Sequence, residues 1–315
     1  MLNKMLTEKE QLIFDRFRKD FRDFLIEQIS EFISINSLEI EIQSKRYLET
    51  AKCEDLLRLY LYNKQKIPSG KKNVYYSKEI IKSPLYKAFY KRISVICNTL
   101  KQGYSIAPYL TNRTNNLKFE DRLLNDWGIN HLHLQPIGQR NVATDGILLF
   151  AYFYADAVFL LNIGNHGNFT DRMLLKIIDN NWSDLLETFN GINPSNLTEK
   201  QIMGLRKNNI AYTLQINNKV IATGTGYMRN RMLPPIAIFR SLEDIAKIVA
   251  SNENTFQNAI KEQSKNNSEV EVHLSFDAKN KEVILYDSKT MIGFKFNNID
   301  HFEVLNNILK NTHVF

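Results

Sequence analysis

Apolar residues recur every three or four positions from Ile13 onward, which is the spacing of one face of an α-helix. Thr7 and Glu10 precede this pattern in the Thr-x-x-Glu form of a capping box, which satisfies free N–H groups where a helix begins. Together these features predict a long amphipathic helix over residues 8–34. A second helix is predicted over residues 49–63.

The helical spacing returns after residues 67–72, where Pro, Ser and Gly together predict a loop. Ser83 can cap the next helix, and Pro84 suits its first turn because proline lacks the N–H that would be unpaired there. The apolar stripe of this helix is expected to face a core. Its members lie at offsets of three and four: Tyr86, Phe89, Tyr90, Ile93, Ile96, Cys97 and Leu100.

The pattern changes at His131 to a period of two, which is typical of β-strands. Residues 147–154 and 157–163 are rich in aromatic and aliphatic side chains, and the turn between them predicts a hairpin. A helix capped by Thr170 is expected to follow, with Asp171 favourably placed near its positive end. These elements form a predicted β-β-β-α unit.

Turn-forming residues at 191–196 predict a linker to a C-terminal part of the chain. In that part Asn217-Asn218 is a two-residue hairpin signal, and Ser241 is placed to begin a helix. Further strands and a last helix are predicted over residues 270–276, 283–286, 292–296 and 299–310.

Length and composition set the expected organisation. The chain has 315 residues, of which 43% are hydrophobic and 24% charged, so it is a folded protein too long for one core. We expect an α+β fold in three parts. They are a helical region with the basic helix over residues 1–110, a small antiparallel β-sheet unit packed on helices over 111–190, and a C-terminal α+β subdomain over 191–315.

Cysteine usage and hydropathy predict the compartment. Cys53 and Cys97 are the only cysteines, too few for a disulfide framework, and we expect both to be free thiols in a reducing, cytoplasmic location. The N-terminus lacks a signal-peptide pattern, and no segment has the ~20 apolar residues of a membrane helix. We therefore expect no membrane partner.

Charge is concentrated in one segment. Residues 64–101 contain ten Lys and Arg residues and a single acidic residue, Glu79, although the whole chain has a net charge of only +7. Basic residues interleaved with tyrosines suit a phosphate backbone whose bases can stack, so nucleic acid is the expected partner. The predicted binding residues are Lys71, Lys72, Lys78, Lys82, Lys87, Lys91 and Arg92, with Arg229 and Arg231 in a second basic segment.

Three of the six histidines belong to the predicted β-β-β-α unit. His131 and His133 are two residues apart and would share one face of a strand. His166 follows the strand that ends near Ile163, where Gly164 allows close approach of a substrate. If these strands are neighbours, three imidazoles converge.

Imidazole exchanges protons near neutral pH, so this cluster suits RNA cleavage in which one histidine deprotonates a 2′-hydroxyl and another protonates the leaving oxygen. Arg140, Arg172 and Lys176 are candidates to offset the phosphate charge, and Arg140 and Arg172 join the histidines as predicted catalytic residues. Asp126, Asp145 and Asp171 are candidates to orient an imidazole.

Two other interpretations stay open. The three histidines could bind zinc with an aspartate or water as the fourth ligand, as in a zinc-dependent hydrolase. Alternatively they hydrogen-bond to backbone groups inside a core, and the protein is a non-catalytic nucleic-acid-binding or regulatory module. The acid–base interpretation needs no metal or other cofactor.

The basic helix followed by Gly146 to Phe153 and Ala157 to His166 loosely resembles the RelE family of messenger-RNA-cleaving toxins over about residues 84–182. That resemblance implies a small curved sheet that carries cationic and proton-transferring side chains and cuts RNA, usually on the ribosome. His131, His133, His166 and Arg140 would be the nearest counterparts of those side chains, although the family favours Arg, Lys and Tyr. We therefore expect a cytoplasmic, metal-independent endoribonuclease of toxin or phage-defence type, with RNA, ribosome-bound or free, and an antitoxin or inhibitor protein as partners.

Overall fold

The N-terminal helix, α1 (Glu8–Ile35), begins at the capping box that the sequence predicts. The N–H of Thr7 donates to Glu10 Oε2 at 2.7 Å, and the N–H of Glu10 donates to Thr7 Oγ1 at 3.3 Å. The apolar face of the helix is buried at Phe17 and Phe21, which have no exposed surface. The long amphipathic helix is thus confirmed.

A computed structural model describes residues 6–139, 146–208, 210–223, 235–264, 270–277, 280, 282–294 and 305–306, and it confirms the predicted α+β class. The chain divides into two units. The first unit contains Met1–Glu31, Tyr47–Tyr60 and Arg231–Phe315, and the second contains Phe32–Arg46 and Leu61–Asn230. Because each unit is assembled from separate stretches of chain, the units do not follow the predicted boundaries at residues 110 and 190.

The helix predicted over residues 49–63 is wrong at its start. The chain forms two helices there, α2 (Ile42–Thr50) and α3 (Cys53–Lys66). Glu54 and Asp55 occupy the first turn of α3, where carboxylates stabilise the positive end of a helix. A new helix therefore begins at this point.

The basic segment contains a strand that the sequence pattern did not predict. It forms β1 (Asn73–Tyr76), α4 (Lys78–Lys82) and α5 (Pro84–Gln102). Helix α5 buries Ile93, Ile96, Cys97 and Leu100 as predicted. The assignment of Tyr90 to this stripe is wrong. Its side chain is 55% exposed, and its ring packs edge-on against Tyr86 with the ring centres 5.7 Å apart.

After α6 (Arg122–Trp127), three strands complete the main sheet of the second unit: β2 (Ile129–His133), β3 (Leu148–Tyr154) and β4 (Ala157–Gly164). The strand order is β1-β4-β3-β2, with β1 parallel to β4 and the other pairs antiparallel. The predicted hairpin is confirmed by the pairing of β3 with β4.

The two faces of this sheet belong to two apolar cores. On one face Leu132 and Leu149 pack in the same core as Ile93 and Ile96 of α5. On the other face Phe150 packs with residues of α7 (Met173–Asn181). The predicted cap of α7 at Thr170 is wrong. Arg172 is the N-cap residue because Thr170 belongs to a preceding 3-10 helix, His166–Thr170.

Residues beyond the predicted linker belong to the same unit as the sheet. Helix α8 (Glu199–Lys207), which the sequence pattern did not predict, precedes a confirmed hairpin of β5 (Thr213–Ile216) and β6 (Lys219–Ala222). Leu214 and Ile221 of the hairpin belong to the apolar core that contains Phe150.

The remaining elements belong to the first unit. They are α9 (Pro235–Ser251), α10 (Glu253–Ser264), β7 (Val272–Asp277), β8 (Glu282–Asp287) and β9 (Gly293–Phe294). The helix expected to begin at Ser241 begins earlier because proline is well accommodated in a first turn. Apart from helical residues 305 and 306, the predicted last helix lies outside the described residues. Among the helices described, none is both long enough and apolar enough to cross a membrane.

Candidate functional site

The sequence before β2 places two histidines on one face of the sheet. Helix α6 ends at Gly128, whose φ of 69° lies in the left-handed region that favours glycine. Strand β2 follows at once. His131 pairs with Phe150, whereas Leu132 belongs to the core on the α5 side. His131 and His133 therefore lie on the opposite face from Leu132, as the period of two predicts.

The third histidine reaches the same place through the register of the sheet. His133 is opposite Leu148, and Leu148 is opposite Gly164. His166 is the first residue of the 3-10 helix that follows Gly164. Asn165 and Asn168 cap the beginning of that helix with a reciprocal pair of side-chain hydrogen bonds. A Cβ atom on Gly164 would collide with the side chain of Asn168, so a larger residue there would displace that side chain.

The three imidazoles form a compact group, which we call the histidine cluster (His131, His133 and His166). Their ring centres are 6.0 to 6.2 Å apart. One ring nitrogen from each residue lies within 4.8 Å of the corresponding nitrogens of the other two. His131 and His133 are buried and His166 is exposed, so a ligand would enter from the His166 side. The predicted convergence of the three imidazoles is thus seen in the structure.

Asp121 lies behind His131, with its Oδ2 atom 3.1 Å from His131 Nδ1. Asp121 also caps helix α6, because its Oδ1 atom accepts hydrogen bonds from the N–H groups of Leu123 and Leu124 at 2.9 and 3.1 Å. Burial by itself would raise the pKa of Asp121. The positive charge of protonated His131, together with these backbone donors, outweighs burial and lowers the pKa of this carboxyl group.

A buried lysine accompanies Asp121. The Lys66 side chain is 2% exposed, and its Nζ atom lies 5.5 Å from the centre of the Tyr62 ring and 3.5 Å from the carbonyl oxygen of Phe119. Burial lowers the pKa of Lys66 to about 8, although the negative charge of Asp121 acts in the opposite direction. The interior beside the histidine cluster thus contains a cation that titrates near physiological pH.

A second buried ion pair, between Arg206 and Asp126, lies close to the histidine cluster. The Nε atom of Arg206, on α8, donates to Asp126 Oδ2 at 2.8 Å, and its Nη1 atom donates to the carbonyl oxygen of Phe169 at 2.6 Å. The Phe169 ring lies 4.8 Å from the His131 ring and 5.3 Å from the His166 ring. Arg206 therefore fixes the aromatic residue against which two of the histidines pack.

The aspartates predicted to orient an imidazole have other partners. Asp126 accepts hydrogen bonds from Arg206 and from the hydroxyl of Tyr212, and Asp171 Oδ1 accepts from the N–H of Met173. Asp145 lies outside the described residues. Sequence reasoning missed Asp121. Its position before an apolar helical turn is typical of an N-cap residue, but nothing in the local sequence indicates that its side chain contacts His131.

Of the three cations predicted to offset the phosphate charge, the structure describes Arg172 and Lys176. Arg172 donates to the carbonyl oxygen of Leu197 and so anchors the segment before α8. Lys176 is exposed on α7, and Arg140 lies outside the described residues. Arg206, which has no counterpart in the sequence prediction, is the buried arginine that supports the site.

The basic residues of α5 lie on the side of the sheet opposite the histidine cluster, whereas Tyr75 of β1 stacks on Phe159, which belongs to the core on the histidine side. Lys71, Lys78, Lys82, Lys87 and Lys91 are exposed, as are the aromatic rings of Tyr75, Tyr90 and Tyr104. Two predicted binding residues have structural contacts. Lys72 Nζ donates to the carbonyl oxygen of Ala155 at 2.7 Å, and the Arg92 guanidinium lies 5.8 Å from the centre of the Phe89 ring. Arg229 and Arg231 lie outside the described residues.

No known protein family, curated protein or solved structure matches this chain. The resemblance to the RelE family therefore stays a prediction.

Proposed function

We propose that this chain is a metal-independent endoribonuclease of toxin or phage-defence type. The observation that carries the proposal is the convergence of three imidazoles with a carboxylate 3.1 Å behind one of them. A general base needs a hydrogen-bonding group that orients it and stabilises its protonated form, and Asp121 is placed to do this for His131. The free, buried thiols of Cys53 and Cys97 support a reducing, cytoplasmic location.

The cluster can divide proton transfer between two rings. His131, supported by Asp121, would take the proton of a ribose 2′-hydroxyl as its oxygen attacks the adjacent phosphorus. His166, at the exposed side, would donate a proton to the departing 5′-oxygen, which gives a 2′,3′-cyclic phosphate and a 5′-hydroxyl. Arg140 is our candidate for the cation that the phosphate requires.

RNA is the proposed substrate because the chain concentrates its positive charge in one segment. Helix α5 contains no acidic residue, and Lys87 and Lys91 are exposed on it. Exposed tyrosines close to the same segment could stack on unpaired bases. An RNA on the ribosome and an inhibitor protein are the further partners that the RelE resemblance implies.

Cleavage of RNA by the purified protein, with and without ribosomes and with and without a chelator, tests the proposal. We expect chelator-resistant cleavage that leaves 5′-hydroxyl ends. A His131→Ala/His133→Ala variant should lose at least about 100-fold of the rate because it lacks a proton-transfer group. Asp121→Asn, which can still cap α6, should lose at least about tenfold.

His313→Ala is the matched control, since it removes a histidine elsewhere in the chain. It should cleave like the unaltered protein. Circular dichroism establishes that each variant is folded, and fluorescence anisotropy measures whether it still binds RNA. If the unaltered protein bound RNA but cleaved none of it, with or without ribosomes, a non-catalytic binding module would be favoured instead.

A zinc-dependent hydrolase is the second candidate, and one observation favours it. Three imidazole nitrogens within 4.8 Å of one another could close around a tetrahedral zinc ion, with Asp121 orienting the His131 ligand. Cleavage that a chelator abolishes and added Zn²⁺ restores would support this candidate and contradict the acid–base mechanism.

A further inference from the structure

Helix α5 and the histidine cluster lie on opposite faces of the same sheet. The buried side of α5 packs in one core with Leu132 and Leu149. His131 lies on the other face, where its neighbour across the strands, Phe150, belongs to the core that contains residues of α7. The sheet itself therefore separates the basic helix from the proposed site of cleavage.

The exposed lysines of α5 point away from the sheet. Ile93, Ile96 and Leu100 define the buried side of the helix, and Lys87 and Lys91 lie one turn apart on the opposite side. Because a helix with its side chains is about 10–12 Å across, the helix and the sheet together place these lysines roughly 20 Å from the histidine cluster. A short RNA bound at the histidines could not contact Lys87 and Lys91 as well.

We infer, on the basis of the proposed function, that α5 holds a segment of RNA separate from the one that is cut, and that the substrate class is long or folded RNA. The charge of α5 supports this occupant. The helix has no carboxylate that would repel phosphates, and its two outward lysines are spaced by one turn. Tyr90, 55% exposed on the same helix, offers a ring for stacking.

The test compares two substrates and two lysine variants. One substrate is a long transcript, and the other is an oligonucleotide of about four nucleotides that contains the same cleaved site, the lower end of the length that one single-strand site covers. Lys87→Gln/Lys91→Gln removes the outward charge of α5. Lys19→Gln/Lys261→Gln is the matched control, because it removes the same net charge from exposed positions outside the basic segment.

We expect Lys87→Gln/Lys91→Gln to lower kcat/KM on the transcript about tenfold and to reduce the salt slope of transcript binding by about 1.4, or about 0.7 for each lost phosphate contact. Cleavage of the oligonucleotide should be unchanged. The control variant should behave like the unaltered protein on both substrates.

Three results would overturn the separate RNA segment while leaving the nuclease intact. They are an equal loss on transcript and oligonucleotide, an equal loss in the control variant, and no loss in Lys87→Gln/Lys91→Gln. If the unaltered protein cuts neither substrate, with or without ribosomes, the proposed nuclease itself fails, and the division into a held and a cut segment fails with it.

Discussion

Asp121 combines two roles at the residue scale. It caps helix α6 through its Oδ1 atom and contacts His131 through its Oδ2 atom. An N-cap residue has to lie at the start of α6, and α6 leads through a single glycine into the strand that contains His131. The cap and the histidine are therefore close because of this short connection. Asp121 is a positioning residue in the proposed mechanism.

The pH dependence of stability tests how strongly burial beside Asp121 disfavours the charged form of Lys66. Its pKa is lowered to about 8 by burial, whereas an unfolded chain keeps the lysine proton up to about pH 10.4. Between these values unfolding takes up a proton, so the contribution of Lys66 to the free energy of unfolding rises with pH. We expect the unaltered protein to gain about 3 kcal/mol relative to Lys66→Met from about pH 7 to about pH 10.

Urea unfolding of both proteins across that pH range measures the difference. The comparison has to be between the two proteins, because the raised pKa values of Cys53 and Cys97 make stability fall with pH above the ordinary thiol range. Those thiols are common to both proteins and cancel. A difference that stays constant with pH would show that Lys66 titrates as an exposed lysine does.

At the scale of elements, α8 is bonded through Arg206 to two elements that come earlier in the chain. Arg206 joins α8 to Asp126 of α6 and to the carbonyl oxygen of Phe169 in the 3-10 helix. The arginine also lies 4.4 Å from the centre of the Trp127 ring. Helix α6, the 3-10 helix and α8 thus meet at one buried guanidinium, which is bonded to the backbone of Phe169, and the Phe169 ring packs against His131 and His166.

We predict that Arg206→Met lowers the free energy of unfolding by about 3–5 kcal/mol, because it leaves Asp126 buried without its ionic partner. Adding Asp126→Asn should recover part of that stability by removing the unpaired charge. Cleavage should stay 10- to 100-fold reduced in the double variant, because the Phe169 carbonyl still lacks its donor and the histidines lose their alignment.

Urea unfolding and single-turnover cleavage measure the two effects separately. The double variant is the decisive comparison, since part of the stability lost in Arg206→Met is expected to return in it while the alignment of the histidines is not. If cleavage recovered together with stability, Arg206 would have only a structural role. The side-chain NMR signals of His131 and His166 give a second readout of ring position that does not depend on cleavage.

At the scale of the whole molecule, each unit contains one of the two cysteines. Cys53 belongs to the first unit and Cys97 to the second, and both are free and buried. Burial, followed by the charge of Glu54, raises the pKa of Cys53 to about 12, and burial also raises the pKa of Cys97. Thiolates are the reactive form of cysteine, so both groups are expected to be inert in the folded protein.

We predict that thiol reagents label the native protein at least about 100-fold more slowly than the unfolded chain, because each cysteine has to be exposed by opening of its unit. Cys53→Ala and Cys97→Ala each leave one thiol, so the two labelling rates report on the second and the first unit respectively. Rapid labelling of either single-cysteine variant under native conditions would contradict the burial of the remaining thiol.

Much of the local structure could be predicted from the sequence because its causes are local. The capping box at Thr7, the stripe of α5 and the two hairpins depend on residues within a few positions of one another. The period of two also predicted that His131 and His133 share a face. The break between α2 and α3, the strand β1 and the helix α8 were missed because short elements with weak periodicity are stabilised mainly by packing.

The sequence by itself determined that this is an α+β protein with a basic helix and a strand that presents two histidines together. Only the tertiary structure decided that His166 completes the cluster, that Asp121 and Arg206 support it, and that α5 lies on the opposite face of the sheet. The physical reason is distance along the chain. Strand register and the packing of helices bring together residues separated by tens of positions, and no local pattern records which face of a sheet a distant helix will cover.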